Sequence, residues 1–247
     1  MSAILRELAS REWGRRRRIY LLRHGAVSYY DEAGNPVPSS DAVPLNELGC
    51  AQATAAGVAL KNVKFDRLIV SGLPRTVETA ARVLAENAHG APPTVTITEL
   101  REIKGGAPAD IKDEDAEAQF TQVFGKPDNF GVRFLGGELL GEFTDRVQAA
   151  FAQMLADSSW QDVLMVLHGG TNRAILSWCL TGGERHFLGA LHQTPACINL
   201  IDVGDAAKND FVVRAINIVP PDLMQTGHRK TTLEELLEKF LAFKLHK

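Results

Sequence analysis

Short apolar runs alternate with helical segments along this chain, and this alternation most strongly limits the folds open to it. The runs at Ile19–Leu22, Arg67–Ser71 and Asp162–Leu167 are apolar in their interiors and rich in branched side chains, as is typical of strands covered on both faces. Each run is followed by a segment with a helical apolar repeat. The pattern predicts an α/β fold, a doubly wound, mostly parallel sheet flanked by helices.

Three of the predicted helices each have one apolar side that is expected to pack against the sheet. The first begins at Asn46, a good N-cap residue, and the second has Pro74 near its first position, where proline is tolerated. A longer helix precedes the strand at Asp162. The inward faces are predicted from apolar residues at helical spacing: Leu48, Ala51, Ala55, Val58 and Ala59, then Val77, Ala80, Ala81 and Leu84, and finally Phe143, Val147, Ala150, Phe151, Met154 and Leu155.

The rest of the chain is assigned to the same single domain, residues 1–247. Residues 1–18 are a solvated lead-in, and 104–137, rich in Gly, Asp and Glu, form a predicted cap insertion over a site. Residues 185–247 carry the C-terminal strands and a helix. A third strand is predicted around Val95, Ile97 and Leu100, two more at Cys197–Asp202 and Phe211–Ile218, and a helix after Thr231 with Leu233, Leu236, Leu237, Phe240 and Leu241 inward.

Composition excludes several protein classes. The 247 residues are 45% hydrophobic with a formal net charge of -3, which suits a globular domain and gives no general reason to expect a nucleic-acid partner. There is no apolar run of about 18 residues, as a membrane span needs, and no signal-peptide h-region. The three cysteines are widely spaced, so a disulfide framework or zinc site is not expected. These features predict a cytoplasmic protein.

Polar motifs follow three of the predicted strands. They are Arg23-His24, then Ser71-Gly72-Leu73-Pro74-Arg75, and His168-Gly169-Gly170. Open α/β sheets bind ligands at the carboxyl ends of their strands. If these ends lie side by side, two guanidiniums and two imidazoles converge on one pocket. Arginine binds phosphate oxygens bidentately and keeps its charge, so the motifs predict a phosphate site.

The same residues suggest a reaction. One imidazole can attack phosphorus in line while the cations stabilise the equatorial oxygens. The leaving oxygen needs a proton, which Glu102 could supply if its pKa is raised; Glu99 and the run Asp113–Asp115 offer competing carboxylates. No Asp/His cluster has metal-ligand spacing, so neither a metal nor another cofactor is expected.

Taken together, the motifs resemble the histidine phosphatase superfamily, which includes cofactor-dependent phosphoglycerate mutases, fructose-bisphosphatases and many small-molecule phosphatases. The resemblance covers Ile19 to about Leu180. It rests on Leu22-Arg23-His24-Gly25, Leu45-Asn46-Glu47-Leu48-Gly49 with Gln52-Ala53, Ser71-Gly72-Leu73-Pro74-Arg75-Thr76 with Thr79-Ala80, Leu100-Arg101-Glu102-Ile103, Gly136-Gly137-Glu138 with Arg146-Val147, and His168-Gly169-Gly170 with Arg173.

The resemblance implies roles for these residues. His24 is phosphorylated during turnover, Glu102 donates and accepts the proton, and Arg23, Arg75 and His168, together with Gly169, bind the phosphoryl group. Two positions depart from the family pattern. Tyr30 stands where many members have a phosphate-contacting Asn, and Leu139 stands where Ser usually follows Gly-Gly-Glu.

The predicted function is a metal-independent phosphomonoesterase that hydrolyses a small phosphorylated metabolite through a phosphohistidine on His24. Two alternatives stay open: a phosphomutase of the phosphoglycerate mutase type and a non-catalytic protein that binds a phosphoryl ligand. The acidic cap is expected to repel a phosphoglycerate-like dianion, which favours hydrolysis. The expected partner is a small phosphate ester, with no nucleic acid and no membrane; whether the chain forms a homodimer stays open.

Overall fold

The computed structural model describes residues 16–106, 111–112, 114, 116–125, 128–220 and 230–245. These residues form a six-stranded sheet in the order β3-β2-β4-β1-β5-β6. The strands are β1 (Arg17–Arg23), β2 (Arg67–Val70), β3 (Thr94–Thr96), β4 (Asp162–Leu167), β5 (Ile198–Val203) and β6 (Phe211–Ile218). The helices are α1 (Glu47–Leu60), α2 (Pro74–Ala85), α3 (Ala116–Thr121), α4 (Leu140–Ala156), α5 (Gly169–Leu180) and α6 (Thr232–Leu245).

The predicted α/β sheet is confirmed, with parallel pairing in the half that matters for the site. β1 pairs with β4, β4 with β2, and β2 with β3, all parallel, whereas β5 and β6 add antiparallel pairs at the other edge. In the register of the parallel pairs, Arg23 is opposite Leu167 and Val70 is opposite Val166. The three strands therefore end at nearly the same level of one sheet edge.

Helices cover both faces of the sheet because alternate strand residues point to opposite sides. On one side α1 and α2 pack against residues such as Tyr20, Leu22 and Val166. On the other, α4 and α5 pack against Ile19, Leu21 and their neighbours. The predicted inward face of α4 is confirmed, since all six of its predicted apolar residues are buried.

The predicted inward face of α1 is wrong. Leu48 and Val58 are 46% and 51% exposed, and Ala51 and Ala59 are exposed as well. The buried residues are small or polar: Gly49, Gln52, Ala53, Ala56 and Gly57, with Leu60 at the end. A Cβ at Gly57 would lie 2.8 Å from the Val83 carbonyl oxygen of α2, so close helix packing, rather than apolar bulk, selects this face.

The prediction for α2 is also partly wrong. Val77 is 47% exposed and Ala81 is exposed, whereas the predicted Ala80 is buried. The buried positions include Arg75, Thr76 and Thr79, because this side of the helix faces the end of β1. Leu241, predicted to face inward, is 45% exposed. Leu100, predicted to lie in the third strand, is buried and follows β3 in a 3-10 turn. β1 begins at Arg17, inside the predicted lead-in.

The segment 104–137 leaves the sheet and returns beside its starting point. The Glu138 amide donates to the Lys104 carbonyl oxygen at 2.9 Å, and the Gly106 amide donates to that of Leu135 at 3.0 Å. α3 lies within the segment and packs on α6, with ring centroids of Phe120 and Phe240 5.5 Å apart. The acidic residues Asp110, Asp113 and Asp115 lie outside the described residues.

α6 begins after Thr231, as predicted, and Thr231 and Glu234 form a capping box there. The Glu234 amide donates to Thr231 Oγ1 at 3.2 Å, and the Thr231 amide donates to Glu234 Oε2 at 2.5 Å. Phe240 is buried, while Leu236 and Leu237 are partly buried against α3. Across the described ranges, no helix has both the length and the apolar character needed to cross a membrane.

The corrected face of α2 gives a test of packing. Val83→Thr should destabilise the fold by about 1–3 kcal/mol, because it buries a hydroxyl in an apolar position. Val77→Thr, on the exposed side of the same helix, should change stability by no more than about 0.5 kcal/mol. Urea denaturation of both variants checks this. Equal losses would show that the buried face is assigned wrongly.

Candidate active site

His24 lies directly after β1 and is 2% exposed. Its Nδ1 is 2.7 Å from the carbonyl oxygen of Gly25. A carbonyl oxygen can only accept, so Nδ1 carries the proton and Nε2 of the neutral ring keeps its lone pair. The backbone next to His24 therefore selects the tautomer in which Nε2 can act as a nucleophile.

His168, directly after β4, lies beside His24 with ring centroids 5.2 Å apart. Its Nε2 is 2.8 Å from Ser71 Oγ, and Ser71 Oγ is 3.2 Å from Thr76 Oγ1, which donates to the Leu73 carbonyl oxygen at 2.8 Å. Because this chain ends at a carbonyl, each member donates to the next and the proton on His168 sits on Nε2. Nδ1 of His168 is buried without a hydrogen-bond partner in the described structure.

Two arginines complete the site. Arg23 Nη1 donates to the Gln193 carbonyl oxygen at 2.6 Å, and Arg75 Nη1 donates to that of Ser40 at 2.9 Å. The Nε atoms of both arginines are buried without a partner among the described residues. Buried donors without acceptors are uncommon in folded proteins and call for an explanation. Here the unpaired Nε atoms accompany the unpaired Nδ1 of His168.

The electrostatics keep both imidazoles neutral. Burial, reinforced by Arg23 and Arg75, sets the pKa of His24 well below its ordinary value. Burial and then the neighbouring His24 do the same to the pKa of His168, with the two arginines adding to the effect. The site thus combines permanent positive charge on guanidiniums with two uncharged imidazoles.

Glu102 lies at the N-terminus of α5. Its carboxylate accepts hydrogen bonds from the amides of Gly170 at 2.9 Å, Thr171 at 3.2 Å and Ile103 at 3.1 Å. Gly170 is two residues after His168, so these bonds hold the Glu102 carboxylate close to His168. Of the competing carboxylates, Glu99 is exposed and accepts a bond from its neighbour Thr98, and Asp113 and Asp115 lie outside the described residues.

The glycine of Arg-His-Gly has a packing role. A Cβ at Gly25 would overlap the Gly49 backbone of α1, and a Cβ at Gly49 would overlap that of Ala26. This close approach lets α1 contribute Gln52, whose Oε1 accepts from the Ala26 amide at 2.9 Å. The Gly25 amide donates to Thr79 Oγ1 at 3.0 Å. The turn after His24 is therefore held by two helices.

Sequence reasoning missed the residues that position Arg23. Gln193 is buried and bonds Asn199, which donates to the Leu21 carbonyl oxygen at 2.8 Å. Thr232, the first residue of α6, accepts from Arg23 Nη1 at 3.2 Å. All three residues, Gln193, Asn199 and Thr232, lie beyond the motifs that carried the resemblance. The one sequence signal for Gln193 and Asn199 is an amide side chain in or next to a strand-like apolar run.

A tyrosine also lies close to the site, but it is Tyr29 rather than Tyr30. Burial raises the pKa of the half-buried Tyr29, which is within electrostatic range of Arg75, Arg23 and Glu102. Tyr30 instead forms a backbone bridge with Pro36. Tyr29, and not Tyr30, is thus the tyrosine on which the charges of the two arginines and Glu102 act. In the described ranges, no three His, Cys, Asp or Glu side chains cluster as metal ligands would.

Comparison with known proteins shows the family to which the chain is similar. The family model of the histidine phosphatase superfamily (branch 1) matches residues 19–218. A broad-specificity phosphatase of Saccharomyces cerevisiae is 26% identical, covering 81% of this chain and 84% of its own. A probable phosphoglycerate mutase of Salmonella paratyphi A is 33% identical, over 61% and 69%. The structure of a mycobacterial glucosyl-3-phosphoglycerate phosphatase superposes with a TM-score of 0.65 at 23% identity, covering 82% and 99%.

The charge state of the site can be checked by NMR. The imidazole signals of His24 and His168 should show titration midpoints well below 6.5, because burial and the arginines disfavour protonation. His186 is an internal comparison, since its hydrogen bond to Asp128 raises its pKa above 6.5. In the unfolded chain, His24 and His168 bind protons near pH 6.5, whereas in the folded protein they do not. The free energy of unfolding should therefore decrease as the pH falls below 6.5. A midpoint at or above 6.5 for either ring would contradict this description.

Proposed function

This chain belongs to the histidine phosphatase superfamily, and we propose that it hydrolyses small phosphate monoesters through a phosphohistidine formed on His24. The observation that carries the proposal is the pair of unpaired buried donors, Arg23 Nε and Arg75 Nε, which lie with the unpaired Nδ1 of His168 around an imidazole whose Nε2 is free. A phosphoryl group supplies the acceptors that the two guanidinium nitrogens lack. It also offers the electrophile that a neutral imidazole attacks.

In the first step, His24 Nε2 attacks phosphorus, the N–P bond forms and the ester P–O bond breaks. Arg23 and Arg75 stabilise the charge that spreads over the equatorial oxygens. His168 can donate from Nδ1 to a phosphoryl oxygen only after taking up a proton, which the dianionic ester favours by its charge. The departing alkoxide takes a proton from Glu102.

In the second step, water attacks the phosphohistidine. Glu102 accepts a proton from that water, the N–P bond breaks, and inorganic phosphate leaves with His24 neutral again. The hydrogen bond to the Gly25 carbonyl stabilises the ring while Nε2 carries the phosphoryl group, since Nδ1–H then bears part of the positive charge.

The relatives support two reactions of this kind. The yeast relative is named a phosphatase and the Salmonella relative a probable phosphoglycerate mutase. A mutase must keep water from the phosphohistidine until a substrate hydroxyl returns to it. Among the described residues of the insertion, Glu114 and Glu117 are exposed and acidic, which suits a solvated surface better than a tightly closed one. We therefore favour hydrolysis.

The nucleophile can be identified with matched variants of the two histidines. His24→Ala should abolish turnover of an aryl phosphate and the formation of an acid-labile phosphoenzyme, because the Nε2 of the neighbouring His168 is bonded to Ser71 Oγ. His168→Ala should leave weak activity, because it removes a phosphoryl contact only. Steady-state rates and acid-quench labelling check both. A labelled phosphoenzyme in the His24→Ala protein would reject the proposal.

The role of Glu102 can be tested through the leaving group. General-acid help is typically worth about 10²–10⁴-fold and matters most for poor leaving groups. Glu102→Gln should therefore slow hydrolysis of alkyl phosphates far more than that of a nitrophenyl phosphate. Glu102 also accepts hydrogen bonds from amides at the start of α5, and the ratio of the two rates corrects for any structural effect of weakening them. If both substrates are slowed equally, the proton comes from another group.

Product partitioning separates the two reactions. With 2- or 3-phosphoglycerate, phosphorus NMR should show release of inorganic phosphate with little interconversion of the isomers. A bisphosphoglycerate primer should not change this outcome. Interconversion much faster than phosphate release would make the chain a mutase.

A further inference from the structure

The motif Gly136-Gly137-Glu138 with Arg146 has no part in the proposed mechanism, yet its two charged residues form an ion pair beside the loop of Glu102. Arg146, on α4, donates from Nε and Nη2 to the two carboxylate oxygens of Glu138, at 2.9 Å each. The side chains of Arg146 and Glu138 are 26% and 15% exposed. A bidentate pair of this kind fixes the plane of the guanidinium as well as its position.

The other hydrogen bonds of Arg146 go to the segment that carries Glu102. Nη1 donates to the carbonyl oxygens of Glu99 at 2.6 Å and Arg101 at 2.9 Å, and Nη2 donates to that of Glu102 at 3.2 Å. Residues 101–106 belong to no helix or strand. The bonds to Arg146 therefore satisfy carbonyl groups of this loop that no regular backbone ladder binds.

The side chain of Glu102 is held separately, by the start of α5. Its carboxylate accepts from the amides of Gly170 and Thr171. A Cβ at Gly170 would overlap Glu102 Oε1, so the carboxylate lies directly against the helix. A shift of the loop would break these bonds or drive the carboxylate into α5. The position of the carboxylate therefore depends on the backbone that Arg146 binds.

Glu138 connects this arrangement to the insertion. Its Oε2 accepts from the Lys104 amide at 3.0 Å, and its own amide donates to the Lys104 carbonyl oxygen at 2.9 Å. A Cβ at Gly137 would overlap the backbone of Lys104 and Gly105. Burial opposes ionisation of Glu138, but the hydrogen bonds from Arg146 and the Lys104 amide outweigh burial and lower its pKa. The pair is therefore charged where the two ends of the insertion meet.

A role for Arg146 in binding the phosphoryl group does not fit these contacts. An arginine has five N–H donors, and the bonds to Glu138 and to the three carbonyl oxygens use all of them. Its charge is matched by Glu138. Arg23 and Arg75 differ, because their Nε atoms are buried without a partner among the described residues.

We propose that Arg146 is a positioning residue for proton transfer: anchored by Glu138, it holds the loop of Glu102 so that the carboxyl group meets the leaving oxygen. This inference rests on the proposed phosphatase function and assigns a role to a motif that the mechanism does not use. Arg146 acts through Glu102 and touches no reacting atom.

The test compares two esters on the same protein sample, glycerol 3-phosphate with a poor leaving group and nitrophenyl phosphate with a good one. A displacement of about 1 Å can cost about 10²-fold in rate. Arg146→Met should therefore lower kcat/KM for glycerol 3-phosphate by about 10- to 100-fold, and for nitrophenyl phosphate by no more than about threefold. A loss of folded protein leaves the ratio of the two rates unchanged.

Glu138→Gln is a milder variant, and it serves if Arg146→Met does not fold. Glutamine keeps the size of the side chain but removes the charge that anchors Arg146. The ratio of the two rates should change in the same direction as in Arg146→Met, by a smaller factor. An unchanged ratio in Glu138→Gln would show that the ion pair does not position Glu102.

A double variant shows whether Arg146 acts through Glu102. Glu102→Gln removes the proton donor, so there is then no proton transfer left for Arg146 to assist. Adding Arg146→Met to Glu102→Gln should leave the ratio of the two rates at the value set by Glu102→Gln alone. A further fall of this ratio in the double variant would overturn the inference.

Arg185→Met is the matched control. Arg185 also forms a bidentate pair with a carboxylate, that of Asp145 on α4, and lies over the ring of Phe130 much as Arg146 lies over another phenylalanine. Its bonds do not go to the loop of Glu102, so this variant should leave the ratio unchanged. If Arg146→Met slows both esters equally, Arg146 is only structural and the inference is overturned.

The wild-type protein and Glu102→Gln separate the two levels of the proposal. If the wild-type protein hydrolyses neither ester, the proposed function fails and the role of Arg146 fails with it. If it hydrolyses both, and Glu102→Gln changes the ratio of the rates whereas Arg146→Met does not, only the role of Arg146 fails.

Discussion

Parallel pairing of β1 with β4 and of β4 with β2 is the constraint on which the rest of the site depends. The register places Arg23 opposite Leu167 and Val70 opposite Val166. His24, Ser71 and His168 therefore leave the sheet within about one residue step of each other. A shift of one residue in either pairing would turn each strand's side chains to the opposite face. It would also separate the two imidazoles, whose centroids are 5.2 Å apart.

In the proposed mechanism, the backbone around this edge determines which atoms react. The Gly25 carbonyl accepts from His24 Nδ1, and the chain from Ser71 through Thr76 to the Leu73 carbonyl accepts from His168 Nε2. Two rings of the same type are thus given opposite tautomers. Burial and the arginines keep both neutral. Burying the unpaired guanidinium donors costs free energy that is recovered when an anion binds, which makes the site selective for anions.

Much of this could be predicted from the sequence. The strand runs, the N-cap Asn46 and the apolar face of α4 have local signals, and each is confirmed. The faces of α1 and α2 were mispredicted because both helices carry apolar residues on more than one side. Their buried sides are selected by contacts distant in sequence, such as Gly57 with Val83 and Thr79 with Gly25.

In the site, too, residues with a local sequence signal could be predicted and residues placed by distant contacts could not. Arg23, His24, Arg75 and His168 could be predicted because each follows a strand or starts a helix at the same sheet edge. Gln193 and Thr232 could not, because they meet Arg23 only through the antiparallel strand β5 and the C-terminal helix. Arg173 was visible as part of a motif, but its contacts with Gly189 and Phe124 depend on how α5 packs against distant parts of the chain.

The central claim is that the Gly25 carbonyl directs phosphorylation to one nitrogen of one histidine. The most direct measurement is to quench the enzyme during turnover, isolate the phosphopeptide under alkaline conditions and identify the modified ring nitrogen by NMR. The account predicts phosphate on Nε2 of His24. Phosphate on Nδ1 of His24, or on either nitrogen of His168, would contradict it.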